Sequence, residues 1–364
     1  MMPALVIDHD PHRPEGANSP VFRVRQRGRL PTHWLKDRCP AEALAMVGCL
    51  YNLCAAAQTA AAASAMGLAV PATQHTDIQC EVLREHALVM LRDWPGAMGH
   101  PAAGNELQGL ASMGLADLEE FEHRLLAQRA NRVLTDLSAW WNASPSLPAQ
   151  VLRQTADWPP EAGRMEAVND PSFVRRVASD PALAPLIARH GWSLHVRMLA
   201  RVVEVARLIE GLRGVRDDPA GGDGTSRRST CSVSPAQRAW FGRSRPGDGW
   251  AEAARGRLWH QVDCRDGRVM AYRIHTPTDA MLDTPLADDH DDDDGGCQPG
   301  FLARLLSSAY GSGDSGARQR VAIALSCADP CLPVVWQTTD MTWPASQQAG
   351  GGVNAAGEWG GQHA

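Results

Sequence analysis

Two cysteines stand at opposite ends of the sequence in surroundings that suit a metal site. Cys54 lies in the segment from Tyr51 to Gln58, ahead of an alanine-rich stretch, and Cys331 follows Asp329-Pro330 near the C-terminus. Thiolates are the side chains that bind soft, low-valent metal centres best. A free cysteine is also commonly a small buried apolar residue, so metal binding and simple packing are both open at each position.

Helices are predicted to position Cys54. Residues 40–67 read as one long helix, with Pro40 suited to its first turn and Gly67 to its end. Further helices are predicted over residues 77–93, with Asp77 as cap, and over 116–141, 171–179 and 184–213, from the spacing of apolar residues. Residues 38–214 are therefore expected to form a helical domain, after an irregular segment 1–37 that contains at most one strand near residues 21–24.

The C-terminal part differs in character. A linker rich in Gly, Ser and Asp is predicted within residues 215–249, followed by a hairpin in which 257–263 and 268–275 flank an Asp266-Gly267 turn. Helices over 299–308 and 317–327 complete a segment 250–339 that packs on the helical domain, and residues 340–364 are expected to be a disordered tail. The acidic run 288–294 suggests either a loop that binds a hard cation or, more simply, a solvated loop.

Composition excludes several classes of protein. The 364 residues are 44% hydrophobic and 21% charged, with a formal net charge of −6, which is globular and argues against nucleic-acid binding. The alanine-rich stretch after Cys54 is interrupted by polar residues, so a buried helix is favoured over a membrane span. Nine irregularly spaced cysteines, without a secretory signal at the first residues, favour a reduced cytoplasmic protein.

Three segments together resemble the large subunit of nickel–iron hydrogenases. They are Tyr51 to Gln58, the stretch from Ala254-Arg255-Gly256 to Pro277-Thr278, and Asp329-Pro330-Cys331. That family has a CxxC followed by a His, an Ala-Pro-Arg-Gly segment leading to Pro-Thr or Pro-Ser, and a final Asp-Pro-Cys-x-x-Cys-x-x-His. The resemblance implies a mainly α fold with a small β hairpin or sheet (α+β), a trimmed version of the large subunit.

The sequence departs from the family at the metal ligands. Cys54 and Cys331 match one thiolate of each pair, whereas Tyr51 and Val334 stand at the other two positions and Gln58 replaces the family His. A nickel site with four thiolates is therefore not expected, unless Cys49 or Cys327 compensates. In the family, residues matching Arg255 and Thr278 contact the two cyanides on the iron, so the resemblance implies the same contacts here, although Ala254 replaces the family Pro.

This pattern is similar to the HupK-type hydrogenase accessory proteins, which the stretch from Leu83 to Pro95 also resembles. The resemblance implies a cytoplasmic, non-catalytic maturation scaffold that transiently binds an Fe(CN)2(CO) unit through Cys54 and Cys331. Its partners would be the hydrogenase large subunit and hydrogenase maturation proteins. A metal-free chaperone or large-subunit mimic is the main alternative, and an active hydrogenase subunit is a further one. Because Gln337 stands where the family has the His that precedes a processing cut, the tail is expected to stay attached.

Overall fold

The computed structural model describes residues 3–10, 21–101, 104–166, 170–217, 239–282 and 299–337. The N-terminal helical part contains the following helices in chain order: α1 (Pro40–Leu50), α2 (Ala55–Met66), α3 (Gln74–Leu88), α4 (Trp94–Ala97), α5 (Gly104–Leu107), α6 (Leu118–Leu126), α7 (Ala130–Thr135), α8 (Leu137–Ala143), α9 (Leu147–Thr155), α10 (Val174–Val177), α11 (Ala184–His190) and α12 (Leu194–Asp217). After the sheet described below come α13 (Pro277–Met281), α14 (Phe301–Tyr310) and α15 (Ala317–Ala328).

Two small sheets complete the fold. One has the order β2-β1-β7, where β1 (Ala4–His9) pairs antiparallel with β2 (Phe22–Arg27) and parallel with β7 (Val334–Gln337). The other is an antiparallel meander of β3 (Phe241–Arg245), β4 (Asp248–Ala253), β5 (Gly256–Arg265) and β6 (Arg268–His275). The architecture is therefore mainly α with small sheets, as the sequence predicts.

Helix α12 is the centre of the helical part. It contacts α3, α6, α7, α9, α10 and α15, and it is buried along most of its length. A helix surrounded by others buries residues on every side, so its polar members must find partners. Arg197, Arg201 and Glu204 are buried on it, and each makes hydrogen bonds to residues outside α12. Among the described helices, none is both long and apolar enough to cross a membrane.

The predicted long helix over residues 40–67 is wrong in one respect that matters for the site. The chain leaves the helical conformation at Tyr51 (φ −120°, ψ 64°), makes a short 3₁₀ turn to Cys54 and begins α2 at Ala55. The Glu81 carboxylate on α3 accepts the backbone N–H groups of Ala56 and Ala57 at 2.8 and 3.2 Å. A carboxylate from a distant element therefore caps the first turn of α2, which local sequence does not reveal.

Other predicted helices are also divided. Residues 116–141 form α6, α7 and α8, because Ala127 adopts a left-handed conformation (φ 54°) and Asp136 caps α8 by accepting the Ala139 N–H. Residues 184–213 divide at Gly191, and 171–179 shrink to α10. The helix predicted over 77–93 begins earlier, at Gln74, and widens into a π-helical turn over Val89–Asp93.

The ends of the predicted segments also change. The segment 1–37 is not simply irregular, since it contributes β1 and β2. The first residues of the linker predicted over 215–249 belong to α12, and its last residues belong to β3 and β4. The hairpin and the helices predicted near 299–308 and 317–327 are confirmed as β5–β6, α14 and α15. The acidic run 288–294 and the tail 340–364 lie outside the described residues.

Candidate metal-binding site

A cavity of about 110 Å³ lies where the turn before α2, the β4–β5 turn and the segment after α15 meet. Its polar lining residues are Tyr51, Cys54, Gln58, Arg255, Thr276 and Cys331, and leucines surround them at positions 30, 50, 53, 258 and 332. Three of the four predicted site residues, Cys54, Arg255 and Cys331, therefore line one cavity although they are far apart in sequence. The fourth, Thr278, contacts Cys331 directly.

Cys54 is held at the start of α2 by one side-chain contact. It is buried, and the Gln58 carboxamide one turn later donates to its Sγ at 3.6 Å. Burial raises the pKa of the Cys54 thiol to about 12, and the Arg255 charge opposes that rise. Cys54 is therefore a neutral thiol at pH 7, and a metal could bind it only by displacing its proton.

Cys331 is fixed by the hydroxyl of Thr278. The Thr278 Oγ1 donates to Cys331 Sγ at 3.0 Å and accepts the Cys331 backbone N–H at 2.9 Å. Burial raises the pKa of the Cys331 thiol, while this hydroxyl contact acts in the opposite direction. The Thr278 hydroxyl therefore positions the second sulfur, and the contact with a cyanide that the resemblance implies stays a prediction.

Arg255 brings a positive charge to both sulfurs. Its Nη2 donates to Glu85 on α3 at 2.9 Å and lies 3.4 Å from Asp329. Burial opposes the charge, but Asp329 and Glu85 raise the pKa of Arg255 above its usual value. Its Nε and Nη1 are buried and have no hydrogen-bond partner among the described residues. Two donor nitrogens of a buried cation therefore remain available beside the cavity.

The backbone next to Arg255 has a conformation and a close contact that only glycine accommodates. Gly256 follows it with φ 134°, a conformation that residues with a side chain rarely adopt, and a Cβ there would lie 2.2 Å from the Pro171 carbonyl oxygen. Asp329, which leads to Cys331, adopts a left-handed conformation at φ 49°. Both turns that supply the site therefore contain a residue at positive φ, a conformation that residues other than glycine rarely adopt.

A buried network of charges lies below the cavity. Arg201 on α12 reaches Asp329 at 3.9 Å and contacts His86 Nδ1 at 2.6 Å, and the His86 Nε2 lies 2.7 Å from Glu204. The network continues from Glu204 through Arg176 to Glu252. Burial and the Arg201 charge lower the pKa of His86 to about 4, so this imidazole is neutral at pH 7. Each carboxylate of this network thus lies beside a guanidinium group, which reduces the cost of burying its charge.

Tyr51 and Val334 occupy the two positions where the family has its other thiolate ligands. Tyr51 is buried at the edge of the cavity, and its hydroxyl has no partner among the described residues. Val334 begins β7 and pairs with Leu5 of β1. Cys49 is exposed, and Cys327 is not among the residues that line the cavity. Within the described ranges, no group of three or more His, Cys, Asp or Glu side chains is arranged to hold a metal ion.

Sequence reasoning missed several residues that support the site. Glu85 and His260 lie in segments that resemble the family, but sequence reasoning gives neither a role, because the partners of each are distant in the chain. The sequence does indicate that His260 is buried, because it alternates with the apolar Leu258 and Val262 on the inward face of β5. A histidine on an apolar strand face is often only a packed core residue, so the pattern alone does not assign it a role.

Known proteins resemble the chain in sequence and in fold. No family model matches the chain. The chain is 27% identical over 353 residues to the hydrogenase expression/formation protein HupK of Rhizobium leguminosarum bv. viciae, covering 84% of this chain and 89% of that protein.

Solved structures give the fold. The reduced nickel–iron–selenium hydrogenase of D. vulgaris Hildenborough matches with a TM-score of 0.52 and 14% identity, covering 91% of this chain and 99% of that one. A variant of the hydrogenase from Desulfovibrio vulgaris Hildenborough gives a TM-score of 0.50, with the same identity and coverage. The chain is therefore similar in sequence to the HupK protein over most of its length, and its fold is a trimmed form of the fold of the hydrogenase large subunit.

Proposed function

We propose that this protein is a hydrogenase maturation scaffold that binds an Fe(CN)2(CO) unit and passes it to the hydrogenase large subunit. The relative's description as a hydrogenase expression/formation protein supports the general role in hydrogenase assembly. The proposed place of action is the cytoplasm, with maturation proteins as further partners. The scaffold makes and breaks no bonds within a substrate, so it is not an enzyme.

The observation that carries the proposal is the combination of groups at one cavity. Two thiols, from Cys54 and Cys331, stand beside a buried guanidinium that has two nitrogens without a partner in the described structure. Thiolates bind low-valent iron, and guanidinium N–H groups in a dry site suit anionic acceptors such as cyanide. The residues present therefore fit an iron atom that carries anionic diatomic ligands.

The same residues argue for a carrier and against a complete nickel–iron centre. Only two thiols line the cavity, and Tyr51 occupies the wall where a further family ligand is expected. Both thiols have pKa values raised by burial, so binding must displace protons and release must return them. A site that has only two thiols, both stable in the neutral form without metal, suits temporary binding of iron.

Infrared spectroscopy tests the proposal. The full chain, purified without oxygen from cells with an active hydrogenase maturation system, should show cyanide and carbonyl stretches. Cys54→Ala and Cys331→Ala should lose them, whereas Cys49→Ala, which changes an exposed cysteine, should keep them. Circular dichroism verifies that each variant is folded.

Two results would contradict the scaffold. Intact wild-type protein without either stretch would favour a metal-free chaperone or large-subunit mimic. Stoichiometric nickel together with hydrogen uptake or evolution would instead favour an active hydrogenase subunit.

A further inference from the structure

A chain of hydrogen bonds runs from the sheet to the sulfur of Cys54. The Tyr272 hydroxyl on β6 lies 2.7 Å from His260 Nδ1 on β5, and His260 Nε2 lies 2.6 Å from the Gln58 Oε1. The Gln58 Nε2 then donates to Cys54 Sγ at 3.6 Å. All these side chains are buried, with His260 fully enclosed, so water does not compete for the contacts.

The orientation of the Gln58 carboxamide sets the direction of this chain with or without cargo, because its Nε2 faces the Cys54 sulfur and its Oε1 faces His260, and a thiolate at Cys54 requires the same direction. Burial lowers the pKa of His260 to about 3, so the ring is neutral and carries a single N–H. A thiolate has no proton to donate, so it must accept from the Gln58 carboxamide, whose oxygen then accepts from His260 Nε2–H. The His260 Nδ1 is left as an acceptor, and the Tyr272 O–H donates to it.

We propose that Gln58, His260 and Tyr272 are positioning residues that hold one hydrogen-bond donor on the Cys54 sulfur and thereby weaken its electron donation to bound iron. This inference rests on the proposed function, because iron is the cargo whose binding the sulfur would tune. Hydrogen bonds to ligating sulfurs change the electronic properties of iron centres, and partners behind the ligands fix ligand orientation.

The role suits a carrier. A sulfur that shares its lone pair with an N–H donor binds iron less strongly, so the cargo leaves more readily. The two cysteines are held differently: Gln58 contacts Cys54 at 3.6 Å, whereas Thr278 contacts Cys331 at 3.0 Å through a hydroxyl that also accepts its backbone N–H. The chain behind Gln58 gives this longer contact a fixed orientation that a free carboxamide would lack.

The first experiment measures the carbonyl stretch of the loaded full chain. Gln58→Leu removes the donor, so the sulfur donates more electron density to iron and the stretch should shift to lower wavenumber. Tyr272→Phe removes the hydroxyl at the far end of the hydrogen-bond chain and should shift the carbonyl stretch in the same direction by a smaller amount. Tyr310→Phe removes a tyrosine hydroxyl outside the cavity lining and should leave the stretch where wild type has it.

The second experiment needs no cargo. Nitrogen-15 NMR of the histidine-labelled full chain should show a neutral ring with its proton on Nε2, assigned to His260 by its loss in His260→Gln or His260→Asn. In Tyr272→Phe the population with the proton on Nδ1 should increase, because the donor to Nδ1 is gone.

The outcomes separate this inference from the proposed function. An unchanged carbonyl stretch in Gln58→Leu refutes the tuning role while the scaffold stands. Wild-type protein with its His260 proton on Nδ1 refutes the direction of the chain, whatever is bound. Absence of all cyanide and carbonyl stretches refutes the scaffold and with it the tuning of iron.

Discussion

Glu81 is a buried carboxyl directly behind the candidate site. It accepts two backbone N–H groups at the start of α2, yet burial raises its pKa from 4.5 to about 7. The folded protein therefore keeps a proton that the unfolded chain loses between about pH 4.5 and pH 7. The contribution of Glu81 to stability is thus highest at low pH and decreases as the pH rises through this interval.

Replacing Glu81 with Gln should remove that dependence. Gln keeps one carbonyl acceptor for the α2 backbone but does not titrate, so the variant should gain stability relative to wild type between pH 4.5 and pH 7. The gain should be up to about 3 kcal/mol, the free energy of a pKa shift of this size.

Urea denaturation at a series of pH values measures the effect. The quantity to compare is the difference between variant and wild type, because His86 and His260, with lowered pKa values, act with the opposite sign. Glu42→Gln is the control, since Glu42 accepts the Cys39 backbone N–H at the start of α1 with an exposed side chain. A constant difference between Glu81→Gln and wild type across the range would show that Glu81 is charged in the folded protein.

At the scale of residues, sequence reveals the candidate ligands better than the residues that support them. Cys54, Arg255 and Cys331 stand in segments that resemble a known family, so their meeting at one cavity could be predicted. Glu85 and Arg255 are separated by 170 positions, and His260 and Gln58 by 202, with no local pattern that pairs them. Such contacts depend on how α3 and β5 pack, which the sequence of either element does not contain.

Helix α2 and strand β4 approach each other more closely than ordinary side chains permit. Seven of the twelve residues of α2 are buried and nearly all are alanine, and a Cβ on Gly249 would lie 2.1 Å from the Ala61 carbonyl oxygen. Small residues on both elements therefore allow backbone contact. This close packing places the sheet, and with it Arg255, next to Cys54.

Gly249→Ala should consequently separate the two elements. The added methyl group cannot be accommodated without moving backbone, so we expect a loss of stability of about 1–3 kcal/mol, typical of overpacking. Gly214→Ala is the matched control, because Gly214 lies in α12 with nothing within 4 Å of a Cβ and should gain about 0.5–1 kcal/mol. Urea denaturation of both variants measures the changes in the free energy of unfolding. A Gly249→Ala variant as stable as wild type would contradict the close approach of α2 and β4.

Helices and strands could be predicted from the sequence where the residues that define them are neighbours in the chain. The Asp266-Gly267 turn correctly predicts the β5–β6 hairpin, with both residues at positive φ. The division of residues 40–67 into α1 and α2 could not be predicted, because the Glu81 carboxylate that caps α2 comes from a different helix. Periodicity detects that a segment is helical, but tertiary hydrogen bonds decide where the helix is interrupted.

The two ends of the described chain meet in one sheet. Strand β7 follows Cys331 after only a few residues and pairs parallel with β1, with Val334 opposite Leu5 and Gln337 opposite Asp8. The Pro333 carbonyl oxygen also accepts the Leu5 backbone N–H at 2.9 Å. The segment after the second candidate ligand is therefore held in place by its pairing with β1.

This arrangement supports the prediction that the C-terminal tail stays attached. In the large-subunit family that this sequence resembles, a specific endopeptidase cuts after a final His once nickel has bound. Here Gln337 stands at that position, at the end of β7, and its side chain accepts a hydrogen bond from Arg25 of β2 at 3.0 Å. A protease needs extended, accessible backbone, whereas Val334–Gln337 is paired with β1. We therefore expect the chain to keep all residues to Ala364.

Intact-mass spectrometry tests this at the level of the whole molecule. Protein purified from cells with an active maturation system should have the mass of the uncut chain. Gln337→His is an informative variant, because it restores the family residue but neither the missing thiolates nor a free strand. If nickel binding is the trigger, this variant should also stay uncut, since only two thiols line the cavity. A wild-type species shortened near residue 337 would instead mean that the site closes after metal binding, as in an enzyme, and would contradict a carrier that must release its cargo.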